Sequence, residues 1–166
     1  MSKKAYAEGD VERIKQRYND PNIEWCDEYP PVDGKYDLVV LDHFLQTGAI
    51  DESKKALVFY VQKLAPGGKL IIIVPSLEWC AAEIATKDVW PYSVYLGLYG
   101  TLKEQNRSGY TLSGLRTIME RIPGLEITAA ETEAYVVNIN NQQEVARQNV
   151  VTAVRVDAPQ AADAIA

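Results

Sequence analysis

The chain has 166 residues and one histidine, His43, which directly follows Asp42. An imidazole beside a carboxylate can serve as a general base, with Asp42 in contact with a bound substrate or cofactor. The same pair also reads as a loop histidine satisfied by backbone and an aspartate that caps the turn. No second histidine and no Gly-rich loop stands nearby to favour a site. Cys26 and Cys80 are far apart with no CxxC spacing, which fits two buried or half-buried thiols in a reducing compartment such as the cytoplasm. One histidine puts a His-rich metal site out of reach of a single chain, so no metal is expected. Trp79, Trp90, Tyr92, Tyr95 and Tyr99 form an aromatic group that could cap or stack on a flat ligand. The three tyrosines share one helical face, and an interface or core stripe suits them at least as well, interface first.

The elements that must position these residues are legible from periodicity. Asp10 can cap a helix carrying Val11, Ile14 and Tyr18 on one stripe, closed by the turn residues 19–22. Ile23, Glu24 and Trp25 form a short strand. The run Tyr36-Asp37-Leu38-Val39-Val40-Leu41 is apolar without alternation, the pattern of a strand covered on both faces in a parallel sheet. Asp51 or Ser53 can cap a helix with Ala56, Leu57, Tyr60, Val61 and Leu64 at helical spacing, and Pro66-Gly67-Gly68 stops it. Residues 69–74 form a second buried strand closed by Pro75, completing a right-handed βαβ unit. A helix begins near Ser76, and another is capped by Thr111 and ended by Pro123-Gly124. Residues 125–137 and 149–156 read as strands of an antiparallel hairpin around an Asn/Gln-rich turn. The run Lys103-Glu104-Gln105-Asn106-Arg107 reads as a solvated loop, and 157–166 as an Ala-rich tail after a domain spanning 1–156.

Composition narrows the classes. Hydrophobic residues make up 47% of the chain, enough for a core, and the net charge of −6 argues against nucleic acid, which needs a basic face. The aliphatic run 70–74 falls far short of the ~20 residues of a membrane span, and Met1-Ser2-Lys3-Lys4 runs into polar sequence rather than an apolar leader. No membrane partner is expected.

Three pieces of sequence together resemble the class I S-adenosylmethionine-dependent methyltransferases. Pro21-Asn22-Ile23-Glu24-Trp25-Cys26-Asp27, then Pro30 and Asp33-Gly34-Lys35-Tyr36-Asp37-Leu38-Val39-Val40-Leu41-Asp42-His43-Phe44-Leu45, is similar to the family's third strand with the acidic residue after it, and to the fourth strand and the site loop that follows. Leu64-Ala65-Pro66-Gly67-Gly68-Lys69-Leu70-Ile71-Ile72 resembles its turn into strand five. Tyr110-Thr111-Leu112, with Leu115, Ile118 and Pro123-Gly124-Leu125-Glu126, resembles the late helix that enters strand six. The resemblance covers residues 20–156 and implies an α/β, Rossmann-like sheet with a C-terminal antiparallel β-hairpin. It implies His43 as general base near a methyl acceptor, Asp42 touching substrate or cofactor, Asp27 at the adenine amino group, and Asp10, within Glu8-Gly9-Asp10, as the acidic residue for the cofactor ribose.

The departure from the family lies at the N-terminus. None of the ten glycines forms the family's GxGxG cofactor loop. About 20 residues precede the strand-three-like segment, so strand one, its helix and strand two find no room, and the sheet is expected to be reduced there. Leu38-Val39-Val40-Leu41 then becomes an edge strand, to be covered by a folded-back N-terminus or, most simply, by a second copy or a partner protein. Two functions follow. One is a methyltransferase-like protein that is not catalytically self-sufficient and binds S-adenosylmethionine weakly alone. The other is a non-catalytic structural or assembly subunit that uses the fold as an oligomerisation surface.

Overall fold

The structure, a computed structural model, describes residues 2–26, 29, 31–101, 105–139 and 141–156. Asp27, Lys103, Glu104 and the Ala-rich tail lie outside the described residues. The elements in chain order are β1 (Lys3–Gly9), α1 (Val11–Arg17), β2 (Ile23–Trp25), β3 (Tyr36–Asp42), one 3-10 turn (Leu45–Thr47), α2 (Ile50–Lys63), β4 (Leu64–Pro75), α3 (Leu77–Thr86), α4 (Tyr92–Tyr99), α5 (Leu112–Glu120), β5 (Leu125–Ile139) and β6 (Gln142–Arg155). They build a six-stranded sheet of order β2-β1-β3-β4-β6-β5. The first four strands are parallel, β6 runs antiparallel to β4, and β5 antiparallel to β6. This is an α/β, Rossmann-like sheet ending in the expected antiparallel hairpin.

The apolar runs split by the period of two. Val39, Leu41, Leu70, Ile72 and Val74 face Leu57, Tyr60 and Val61 of α2 and Leu115 and Met119 of α5. Leu38, Val40, Ile71 and Ile73 face the other way, toward Ile14 of α1. Both faces are buried, which is why these strands show no alternation. The predicted helix starts hold at Asp10, Ser76 and Thr111, whose side chains accept from the backbone N–H of Arg13, Trp79 and Gly114. At α2 the cap differs: the helix begins at Ile50, and Glu52 reaches back to the Ala49 N–H at 2.8 Å. Ser53 lies inside the helix, its hydroxyl bonded to the carbonyls of Leu45 and Ala49. No helix among the described residues is long and apolar enough to cross a membrane.

Two expectations are corrected. Leu38-Val39-Val40-Leu41 is not an edge strand needing a second chain. The N-terminal segment itself forms β1, paired from Ala5↔Leu38 to Gly9↔Asp42, and β2 pairs outside it. The sequence Lys-Lys-Ala-Tyr-Ala-Glu-Gly has weak strand propensity, and pairing with the buried β3 overrides it. The N-terminal residues, where strand one, its helix and strand two were expected to find no room, hold a strand, a helix and a strand, β1, α1 and β2, because each is only three to seven residues long.

Candidate functional site

In an open parallel sheet the binding crevice lies at the carboxyl ends of the strands. Here β1, β3 and β4 end together at Gly9, Asp42 and Pro75. Gly9 has φ +97°, and a Cβ on it would lie 1.8 Å from the carbonyl oxygen of Asp42. Only glycine permits this approach, which lets the Asp10 N–H donate to the same carbonyl at 3.3 Å. The two strand ends are therefore closed against each other.

Asp10, Asp42 and His43 are brought together, and Arg13 joins them. The Asp10 carboxylate is engaged at the start of α1, accepting from the Arg13 N–H at 3.1 Å. One turn of helix then carries the Arg13 guanidinium back over the strand ends. Its Nε donates to Asp42 Oδ2 at 2.7 Å and its Nη2 to Asp42 Oδ1, a bidentate pair. Asp42 is buried at 1% exposure; burial pushes its carboxyl above the usual range, and Arg13 opposes that shift. Arg13 Nη2 also lies 2.7 Å from His43 Nδ1. Asp42 Oδ1 is farther from that nitrogen, at 3.3 Å, and a guanidinium N–H can only donate. Nδ1 is thus the acceptor and Nε2 carries the proton. Burial, helped by the Arg13 charge, pushes the imidazole pKa down to about 3, so His43 is neutral. Its backbone, at φ +52°, sits in the left-handed region.

The far end of the chain roofs this cluster. β6 pairs with β4 only from Val154 to Gln148, but with β5 all the way to Gln142. Residues 134–139 and 142–147 thus overhang the end of β4 as a hairpin arm. The arm sets Tyr135 against the cluster, its ring 5.2 Å from the Arg13 guanidinium and 5.6 Å from the His43 ring. It is clasped on both sides. Arg17 of α1 pairs with Glu133, and Glu144 accepts from the N–H groups of Tyr92 and Ser93 at the start of α4, at 3.3 and 2.7 Å.

A cavity of about 260 Å³ remains beneath the arm, bordered by Arg13, His43, Gln46, Asn106 and Tyr135. A second chamber of about 300 Å³ shares Gln46, Pro75 and Asn106 with it. Arg13, Gln46 and Tyr135 escaped the sequence reading. The i+3 position of Arg13 after its cap was visible, but its partner was not. Asp27 lies outside the described residues. The aromatic group is split: Tyr92, Tyr95 and Tyr99 are exposed, at 53%, 43% and 62%, along α4. Cys26 and Cys80 are both free; Cys80 is buried, its thiol pushed up to about 11 by burial, so it is no nucleophile. Among the described residues no cluster of three or more His, Cys, Asp or Glu suited to a metal occurs.

No protein-family model matches the chain, and no curated protein matches it. Solved structures do. A methyltransferase from Methanosarcina mazei, described as S-adenosylmethionine-dependent, aligns over 93% of this chain and 93% of its own, with a TM-score of 0.52 and 9% identity. A Burkholderia thailandensis 1,6-didemethyltoxoflavin-N1-methyltransferase, solved with that substrate and S-adenosylhomocysteine, covers 94% of this chain and 72% of its own, with a TM-score of 0.55 and 11% identity. A Haloferax volcanii complex of the Trm112 methyltransferase activator with a methyltransferase matches over 94% and 84%, with a TM-score of 0.58 and 10% identity. The fold is that of the class I methyltransferases.

Proposed function

We propose that this chain is a methyltransferase-like protein that does not transfer methyl groups by itself. The observation that carries this reading is the closed end of β1 and β3, where the Arg13–Asp42–His43 cluster occupies the crevice. Of the residues the resemblance offered to S-adenosylmethionine, those at the end of β1 are engaged within the chain. Gly9 is packed on Asp42 instead of opening a loop. Asp10 Oδ1 accepts from the Arg13 N–H at the start of its helix, and the Glu8 carboxylate accepts from the hydroxyls of Tyr6 and Tyr60 at 2.7 and 2.9 Å. His43, neutral with its Nδ1 lone pair engaged, acts as a hydrogen-bond donor rather than a general base, and Asp42 balances Arg13.

Isothermal titration tests this directly. S-adenosylmethionine and S-adenosylhomocysteine are expected to give no saturable heat up to about 1 mM, whereas a micromolar Kd for either would overturn the reading. The second reading, an assembly subunit, is favoured by the exposed tyrosines of α4, which present a contact surface on a fold whose crevice is closed.

A further inference from the structure

Helices α2 and α5 lie on the same face of the sheet, where Leu57, Tyr60 and Val61 of the one and Leu115 and Met119 of the other enter one core. Between them runs an open groove of about 540 Å³. Its apolar walls are Ile50 and Val58 of α2, Ile118 of α5, and Ile122 just past the end of α5. Ile50 and Val58 remain 50% and 43% exposed, so the groove leaves aliphatic surface in water that an occupant would cover. A concave site with mostly apolar walls and a few convergent polar groups has the form of a small-ligand site. The polar groups here fix the kind of ligand. They are Lys54, Lys55 and Arg121, and no acidic or uncharged polar side chain among the described residues joins them. Lys54 lies 3.8 Å from Asp51, whereas Lys55 and Arg121 have no ion pair among the described residues. An ammonium and a guanidinium can only donate, and they donate best to an anion. This is a local feature, because the chain as a whole carries a net charge of −6 and repels anions. No aromatic ring borders the groove to stack on a flat ligand, and its branched aliphatic walls suit a flexible hydrocarbon chain. A flat bilayer surface would not fill a hollow between two helices.

We infer that this groove binds a free medium-chain fatty carboxylate. The hydrocarbon chain lies along Ile50, Val58, Ile118 and Ile122, and the head accepts from Lys55 and Arg121. The groove shares no residue with the cavity beside Arg13 and His43. The inference therefore goes beyond the proposed function and does not rest on it.

Octanoate added to the 15N-labelled full chain is expected to shift the amide signals of residues 50–58 and 118–122 saturably, with a Kd on the order of 1 mM. Octanol, with the same chain and no charge, should bind about tenfold more weakly, the size of one hydrogen bond to a charged group. Octylammonium, of opposite charge, should bind more weakly still. The double variant Lys55→Gln, Arg121→Gln changes two exposed side chains and should stay folded. It should bring octanoate down to the level of octanol and leave octanol unchanged. The inference is overturned if octanoate gives no saturable shift at these residues. Octylammonium binding as tightly as octanoate, or undiminished octanoate binding by the double variant, overturns it as well. Cosedimentation with phosphatidylglycerol vesicles that octanoate does not displace would overturn it in favour of a membrane surface. Groove signals that move with protein concentration alone would overturn it in favour of a second copy of the chain.

Discussion

Arg13 holds the site together at the level of single residues. Its partner Asp42 is 1% exposed, so truncating the guanidinium strands a buried carboxylate. Arg13→Ala should lower stability by about 3 kcal/mol in urea denaturation, and Arg13→Ala with Asp42→Asn should recover part of that loss, since the uncompensated charge is gone. A double variant less stable than Arg13→Ala alone would show that the stranded charge is not what destabilises the single variant. Gly9→Ala places a Cβ within 1.8 Å of a carbonyl oxygen at φ +97°, so it should cost at least about 2 kcal/mol or prevent folding. His43 sets a pH dependence. Its pKa is about 3 folded against 6.5 unfolded, with Arg13, Asp10, Asp42 and Tyr135 around it. Between those values the unfolded chain binds a proton the folded chain refuses. The stabilisation is complete above about pH 6.5 and declines as the pH falls toward 3, by at most about 1.4 kcal/mol per unit. Denaturation at pH 7 and pH 5 should show a smaller loss for His43→Gln than for the wild type, and identical losses would refute the assignment.

Among the elements, the β5–β6 arm decides what the crevice becomes. A hairpin arm extending past the sheet has few neighbours, so its order rests on its two clasps and the Tyr135 contact. Glu133 serves both Arg17 and the buried Gln148. Glu133→Ala should cost only about 1 kcal/mol globally, because the ion pair is partly exposed. Hydrogen exchange should nevertheless quicken across residues 134–147 while residues 69–74 stay protected. Uniform quickening across both segments would mean that the arm does not open independently.

On the scale of the whole molecule, sheet closure inside the chain moves the contact surface. With β3 flanked by β1 and β4, no partner is required there, and three exposed tyrosines, Tyr92, Tyr95 and Tyr99, lie together on α4. Tyr92, Tyr95 and Trp90 lie within 5.6–6.4 Å of one another in pairs around Tyr95, forming one patch. If the assembly reading holds, light scattering after size exclusion at micromolar concentration should show self-association, and the triple variant Tyr92→Ser, Tyr95→Ser, Tyr99→Ser should run as a monomer. A wild type that is monomeric throughout would remove that reading.

Much of this protein is written locally. The buried strands β3 and β4 follow from uninterrupted aliphatic runs, the helix starts from Asp10, Ser76 and Thr111, and the resemblance to the methyltransferases from the order of these pieces. Such signals act over a few residues, where hydrogen bonds and side-chain periodicity are set by the backbone itself. Tertiary structure decided the rest. Residues 3–9 became a strand because a buried neighbour was available to pair with. Arg13 found Asp42 across 29 positions of sequence, and the overhang of β5 brought Tyr135 over both. The nitrogen of His43 that keeps its proton depends on that arrangement, because an acceptor or donor role is fixed by the partner a fold delivers and not by the residue alone.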